Sequence, residues 1–191
     1  MSRPERCDIA GSIQHVILTG HDRCNVFHQD ADCSSFLSRL QGLIRRDHCA
    51  LHGYCLMRNH VHLILTIGKD NAMQRLMQSA CSGHSRRMNR QLARSGSFWN
   101  QRYWSEPLLD EDRIATCHLY VDSNPVRAGI VQRPADYRWS SYLIHAHGEP
   151  STLIVPTPWY LGLAETASGR QAVYRRLMSV YLDKWRVRCQ A

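Results

Sequence analysis

The chain has little that would staple it covalently or seat it in a bilayer. Its eight cysteines (Cys7, Cys24, Cys33, Cys49, Cys55, Cys81, Cys117 and Cys189) nowhere stand in CxxC spacing. That spacing argues against a zinc ribbon or a thioredoxin-type motif, and without a legible secretory signal it argues against a disulfide framework. Free, mostly buried thiols in a reducing compartment are expected instead. No stretch approaches the roughly 20 apolar residues that span a bilayer, and the opening MSRPERCDIAGSIQ has no apolar signal region. A soluble, cytoplasmic protein without a membrane partner is the expectation. Internal repeats and low-complexity segments are missing too, and 191 residues suit one medium domain with a core of its own.

Lysine is scarce. Of 24 basic residues only Lys69 and Lys184 are lysines, and with 16 acidic residues the net charge is +8. Arginine presents a planar fork that grips phosphate through two hydrogen bonds, so this balance suits a polyanionic partner.

Strand and helix periods alternate along the chain. SIQHVILTG (12–20) reads as a short strand. DADCSSFLSRLQGLIRRDH (30–48) puts Phe36, Leu37, Leu40, Leu43 and Ile44 on one helical face, with Asp30 or Asp32 as N-cap. HGYCLM and HVHLILTI form a strand pair around a tight turn at Arg58-Asn59. A second helix is predicted from Asp70 to about Arg94, and its later half carries Arg86, Arg87, Arg90 and Arg94. SFWNQRYWSEPLL (97–109) is a further strand, which Pro107 assigns to an edge. A third helix is predicted from Asp110 to near Asn124, where Pro125 disfavours its continuation. The order β-α-β-β-α-β-α describes an α+β domain with a mostly antiparallel sheet and helices packed on one side. Residues 1–142 form that domain, and 143–191 follow as a linker and a helix at about 169–187, packed on or beside it.

Within the strand pair, His60 and His62 project from one face, about 7 Å apart at the backbone. Such a pair can chelate one metal ion, or it can be two satisfied core histidines. Spacing alone decides little, because His145 and His147 repeat the pattern in IHAHGEP, where Gly148 and Pro150 predict a solvated loop. On the third helix Tyr120 and Asn124 lie four residues apart, hence on one face. They can supply a nucleophile and a third metal ligand to the histidine pair. The plainer reading is a core tyrosine and a helix stop.

The segments YCLMRNHVHLIL, GSFWNQRYWSEPLLDED and YVDSNPVRAGIVQRPADYRWSSY, in that order between Ile13 and Tyr142, resemble the HUH-type single-tyrosine transposases, specifically the REP-associated tyrosine transposases of bacteria. The resemblance implies a ferredoxin-like or RRM-like fold. It also implies that His60, His62 and Asn124 hold a divalent cation, Mg²⁺ or Mn²⁺, and that Tyr120 attacks DNA to give a covalent 5′-phosphotyrosine and a free 3′-hydroxyl. A phenol with a pKa of about 10 is a poor nucleophile at neutral pH, and an ion polarising the scissile phosphate would compensate. The implied substrate is single-stranded DNA folded into an imperfect palindromic hairpin, handled by a monomer or a homodimer.

Arg86, Arg87, Arg90, Arg102, Arg127 and Arg133 are the candidate phosphate contacts, with Trp99, Tyr103 or Trp104 stacking on unpaired bases. Six neutralised phosphates predict a slope of log K against log salt near −4. Two other readings stay open: a hairpin-binding module without cleavage, and a metal hydrolase that pairs the histidines with Glu106 or Asp122.

Overall fold

The computed structural model describes residues 9–69, 71–100 and 102–190. Cys7 and Asp70, the expected first residue of the second helix, lie outside the described residues. Alternating side chains give each strand two faces, and here both are covered. Strands β1 (Ile13–Thr19), β2 (Ala50–Met57), β3 (His60–Thr66) and β4 (Trp104–Pro107) form one sheet in the order β2-β3-β1-β4, antiparallel throughout. As Pro107 requires, β4 is an edge strand.

On one face Val16, Leu18, Leu56, Val61, Leu63 and Leu65 pack against Phe36 and Leu40 of α1 (Asp30–Arg46) and Met73 and Leu76 of α2 (Ala72–Gln91). The expected one-sided packing describes these two helices. The next helix, α3 (Glu111–Arg127), covers the opposite face instead, where Cys117 and Val121 meet Cys55, Met57 and Ile64. Strand alternation explains this second layer. The residues between those of the first core are apolar over half of β2 and β3, so they need a cover as well.

Several boundaries differ from expectation, among them the strand read at 97–109, of which only Trp104–Pro107 pairs into the sheet. Gln29, not Asp30 or Asp32, caps α1, while the Asp32 carboxylate accepts the His28 and Gln29 backbone N–H groups at 3.0 and 3.1 Å, a reciprocal capping box. Helix α3 runs through Pro125 to Arg127, because buried Asn124 and Val126 are held by tertiary packing that outweighs the missing N–H.

Beyond α3 come α4 (Tyr142–His147), α5 (Pro158–Gly162) and α6 (Ala167–Gln190). Tyr142, Tyr160, Tyr174, Met178 and Leu182 from these helices form a second apolar cluster with Leu119 and Val126 of α3. His145 therefore sits in a helix and is buried, contrary to the solvated loop expected there. Its Nδ1 lies 3.0 Å from Asp122, and its Nε2 donates to the His52 carbonyl at 3.0 Å. The seven described cysteines are free thiols, and no described helix is long and apolar enough to cross a membrane.

Candidate active site on the α3 face

The β2-β3 hairpin carries His60 and His62 on the face that α3 covers. In the ladder His62 stands between Ile17 of β1 and Cys55 of β2, and His60 between Thr19 and Met57. Their rings meet edge to face with centroids 4.9 Å apart. From α3, the Asn124 amide reaches His62 Nε2 at 3.1 Å, and the Tyr120 ring lies 5.4 Å from that of His62. The four residues singled out from sequence thus converge.

Hydrogen bonds fix the tautomers. Asn59 Oδ1, at the hairpin turn, can only accept, so His60 Nδ1 donates to it at 2.7 Å and the lone pair of the neutral ring lies on Nε2. Asn124 Nδ2 can only donate, so His62 Nε2 accepts and His62 Nδ1 carries the proton. It passes that proton's hydrogen bond to His15 Nε2 at 3.0 Å. Both histidines therefore have an anchored Nδ1–H and an acceptor Nε2, the arrangement that orients imidazole ligands.

Burial keeps the rings neutral. It lowers His15 to about 4 and His62 to about 2, the latter helped by the neighbouring His15, His60 and Arg127. Desolvation also lowers His60, against a hydrogen bond to Asn124 that favours the protonated ring. A neutral imidazole is the form that binds metal.

His15 is the member of this cluster that the sequence reading did not single out. A polar residue at alternate spacing between Ile13 and Ile17, on a strand that pairs with the HxH strand, was the available signal. The other missed group is on α6. Arg127 stacks over the Tyr120 ring at 4.5 Å, donates to the Tyr181 hydroxyl at 3.3 Å and lies 5.9 Å from the Trp185 ring. Half-buried Tyr120 opens into a cleft of about 480 Å³, bounded by His15, Trp104, Glu106, Arg113 and Tyr181.

The other candidates are scattered. Arg86, Arg87 and Arg90 are exposed on α2, across the sheet from Tyr120, and Arg102 is exposed just before β4. Arg87 pairs with Asp32 at 3.4 Å, and Arg133 holds Asp136 through two bonds of 3.0 and 2.7 Å. Only Arg127 joins the site. Of the carboxylates, Glu106 lines the cleft but is paired with Arg113 at 3.2 Å. Asp122 points away from it, bound by Ser141, His145 and Tyr174. Among the described residues no three His, Cys, Asp or Glu side chains cluster as a metal site, and the polar group that α3 brings to His62 is the amide of Asn124.

An antiparallel sheet bearing a histidine pair is thus faced by a helix bearing tyrosine and asparagine. Residues 9–124 match the transposase IS200-like family, a stretch that includes His60, His62 and Tyr120 and ends on Asn124, and the chain belongs to that family of transposases. A relative named as a REP-associated tyrosine transposase, from Haemophilus influenzae, is 26% identical over 118 residues, 55% of this chain and 63% of that relative. The match thus spans less than two thirds of the relative's length. The solved structure of a REP-associated tyrosine transposase bound to a REP hairpin superposes with a TM-score of 0.62 at 16% identity, covering 82% of this chain and 93% of that one. That likeness shows a shared fold, and both comparisons agree with the resemblance read from the three sequence segments.

Proposed function

We propose that the protein is a metal-dependent DNA transposase that nicks and rejoins single-stranded DNA at palindromic repeat hairpins through a covalent 5′-phosphotyrosine on Tyr120. The observation that carries this reading is the convergence of Tyr120, Asn124, His60 and His62 from one helix and one hairpin. The hairpin substrate is supported by the name and the bound DNA of the relatives.

The donor set fits a divalent cation. Two imidazole Nε2 atoms have their opposite nitrogens anchored, and turning the Asn124 amide about its last bond would present Oδ1 beside them. Two nitrogens and one oxygen suit Mn²⁺, or Mg²⁺ where abundance favours it, and leave positions for phosphate and water. When bound, such an ion would polarise the scissile phosphate and steady the charge on its oxygens.

The chain's own groups do the rest. Tyr120 Oη forms a bond to phosphorus as the bond from phosphorus to the 3′ oxygen breaks. The phenol proton is released to water, and the departing 3′ oxygen takes one up. One phosphodiester is exchanged for another, so a 3′-hydroxyl can reverse the step and rejoin a strand. Arg127, anchored by Tyr181, holds the Tyr120 ring from its face and brings a positive charge to the attack site.

Strand polarity tests this. A hairpin oligonucleotide with palindromic repeat sequence, incubated with Mn²⁺, should leave a 3′ label on a protein-linked fragment and a 5′ label on a free fragment ending in a 3′-hydroxyl. Two free fragments would point to hydrolysis, and tight binding without cleavage to a hairpin-binding module; either result overturns the proposal.

A further inference from the structure

We propose that α6 completes the active site, with Tyr181 as a positioning residue that sets the place of the Tyr120 nucleophile through Arg127, an inference that rests on the function proposed above. The family match stops at Asn124, yet the groups around the nucleophile continue beyond it. Arg127 closes α3, and Tyr181 and Trp185 come from α6. The guanidinium of Arg127 lies 4.5 Å above the Tyr120 ring and is fixed at one point, where Nη1 donates to the Tyr181 hydroxyl at 3.3 Å. Its Nε–H is buried without a partner, and among the described residues the Tyr181 oxygen is the one hydrogen-bond acceptor of this side chain. A long stem with a single bond at its tip loses its place when that bond is removed.

The chemistry of the anchor matters as much as its position. A carboxylate in place of the Tyr181 hydroxyl would hold Arg127 more tightly but would spend its charge on the pair. A neutral hydroxyl orients the guanidinium and leaves its positive charge for Tyr120 and for the charge that builds on the phosphate oxygens. Tyr181 is suited to stay neutral, since burial raises its phenol above the ordinary value and outweighs the opposing pull of Arg127. Its side chain also lines the Tyr120 cleft, so the anchor stands at the place of reaction.

The docking of α6 does not depend on this hydroxyl. Tyr174, Met178 and Leu182 bury the helix in the second apolar cluster, and the Tyr174 hydroxyl donates to Asp122 at 2.6 Å. Removing the Tyr181 oxygen alone therefore leaves the helix seated and frees only the Arg127 side chain. Trp185, 5.9 Å from the guanidinium, bounds its movement without bonding it.

The test uses the full chain, Mn²⁺ and a hairpin oligonucleotide at saturating concentration. Tyr181→Phe keeps the ring and removes the acceptor, and the rate of adduct formation should fall about tenfold while hairpin affinity stays as in wild type. In an Arg127→Gln background the same change should cost nothing further, because Tyr181 acts through Arg127. An unchanged rate, a loss carried by affinity with the rate unchanged, or a further loss of similar size on top of Arg127→Gln would overturn the positioning role. A second readout needs no cleavage. In DNA-free protein with isotope-labelled arginine, the ring current of Tyr120 should displace the Arg127 Nε–H resonance, identified by its loss in Arg127→Gln, and Tyr181→Phe should return it to the range of exposed arginines. A resonance that Tyr181→Phe leaves in place overturns the proposal whether or not an adduct forms. A resonance that moves in a protein whose wild type forms no adduct supports the hold of Tyr181 on Arg127 and sinks the proposed chemistry alone.

Discussion

His62 owes its readiness to its neighbours. Its Nδ1–H is spent on His15 and its Nε2 faces Asn124, so its lone pair is aimed where the proposed ion would sit. Replacing His15 by Phe should weaken Mn²⁺ binding about 10- to 100-fold by calorimetry, with Gln, which keeps an acceptor, restoring part of it; equal affinity in wild type and His15→Phe would contradict the orienting role. A different histidine, His118, adds to the acid sensitivity that buried His15 and His62 also bring. His118 is fully buried, its ring nitrogens have no partner among the described residues, and burial lowers it well below its ordinary value. The unfolded chain, with a value of about 6.5, then binds a proton that the fold refuses, so this stability is complete above that pH and is lost as pH falls below it. Melting temperature should drop between pH 7 and pH 5, and drop less in His118→Phe; an identical drop would exclude His118 as a source.

At the scale of elements, α3 is clamped from behind. Asp122, two residues from both Tyr120 and Asn124, is 1% exposed and accepts from Ser141 at 2.7 Å, His145 at 3.0 Å and Tyr174 at 2.6 Å, which tie α3 to α4 and α6. Removing it strands His145 between a lost carboxylate and the His52 carbonyl. Asp122→Ala should therefore cost about 3–5 kcal/mol in denaturant unfolding, and a loss below about 1 kcal/mol would mean that the network does not hold the helix. This clamp shows where sequence reading stops. The hairpin, the helical face shared by Tyr120 and Asn124, and the edge role of Pro107 follow from local periodicity and were legible. The burial of His145 was not, since Gly148 and Pro150 signal a turn and only the long-range partner Asp122 explains a helix before it. The continuation of α3 past Pro125 has the same origin: packing of Asn124 and Val126 overrode a local rule. His15 stayed hidden because cross-strand register, not spacing, brings it to His62.

For the molecule as a whole, the net charge of +8 is spread over both faces of the sheet rather than gathered at Tyr120. Two of the six candidates, Arg87 and Arg133, are already held by Asp32 and Asp136, so fewer than six phosphates are contacted. Binding of a single-stranded hairpin should then weaken with salt at a log–log slope near −3, shallower than the −4 that six contacts would give; a slope near zero would remove the electrostatic account. The α3 face holds Tyr120 and the histidine pair, the α2 face carries three of the arginines, and β4 is the rim between them. The central claim is that Tyr120 is the nucleophile served by His60, His62 and Asn124. Its most direct test is a denaturing gel of full-length protein with Mn²⁺ and a hairpin oligonucleotide, followed by mass mapping of any linked peptide. The account predicts a metal-dependent, detergent-stable adduct on the peptide containing Tyr120, absent in Tyr120→Phe. An adduct that persists in Tyr120→Phe, or cleavage with no adduct at all, would contradict it.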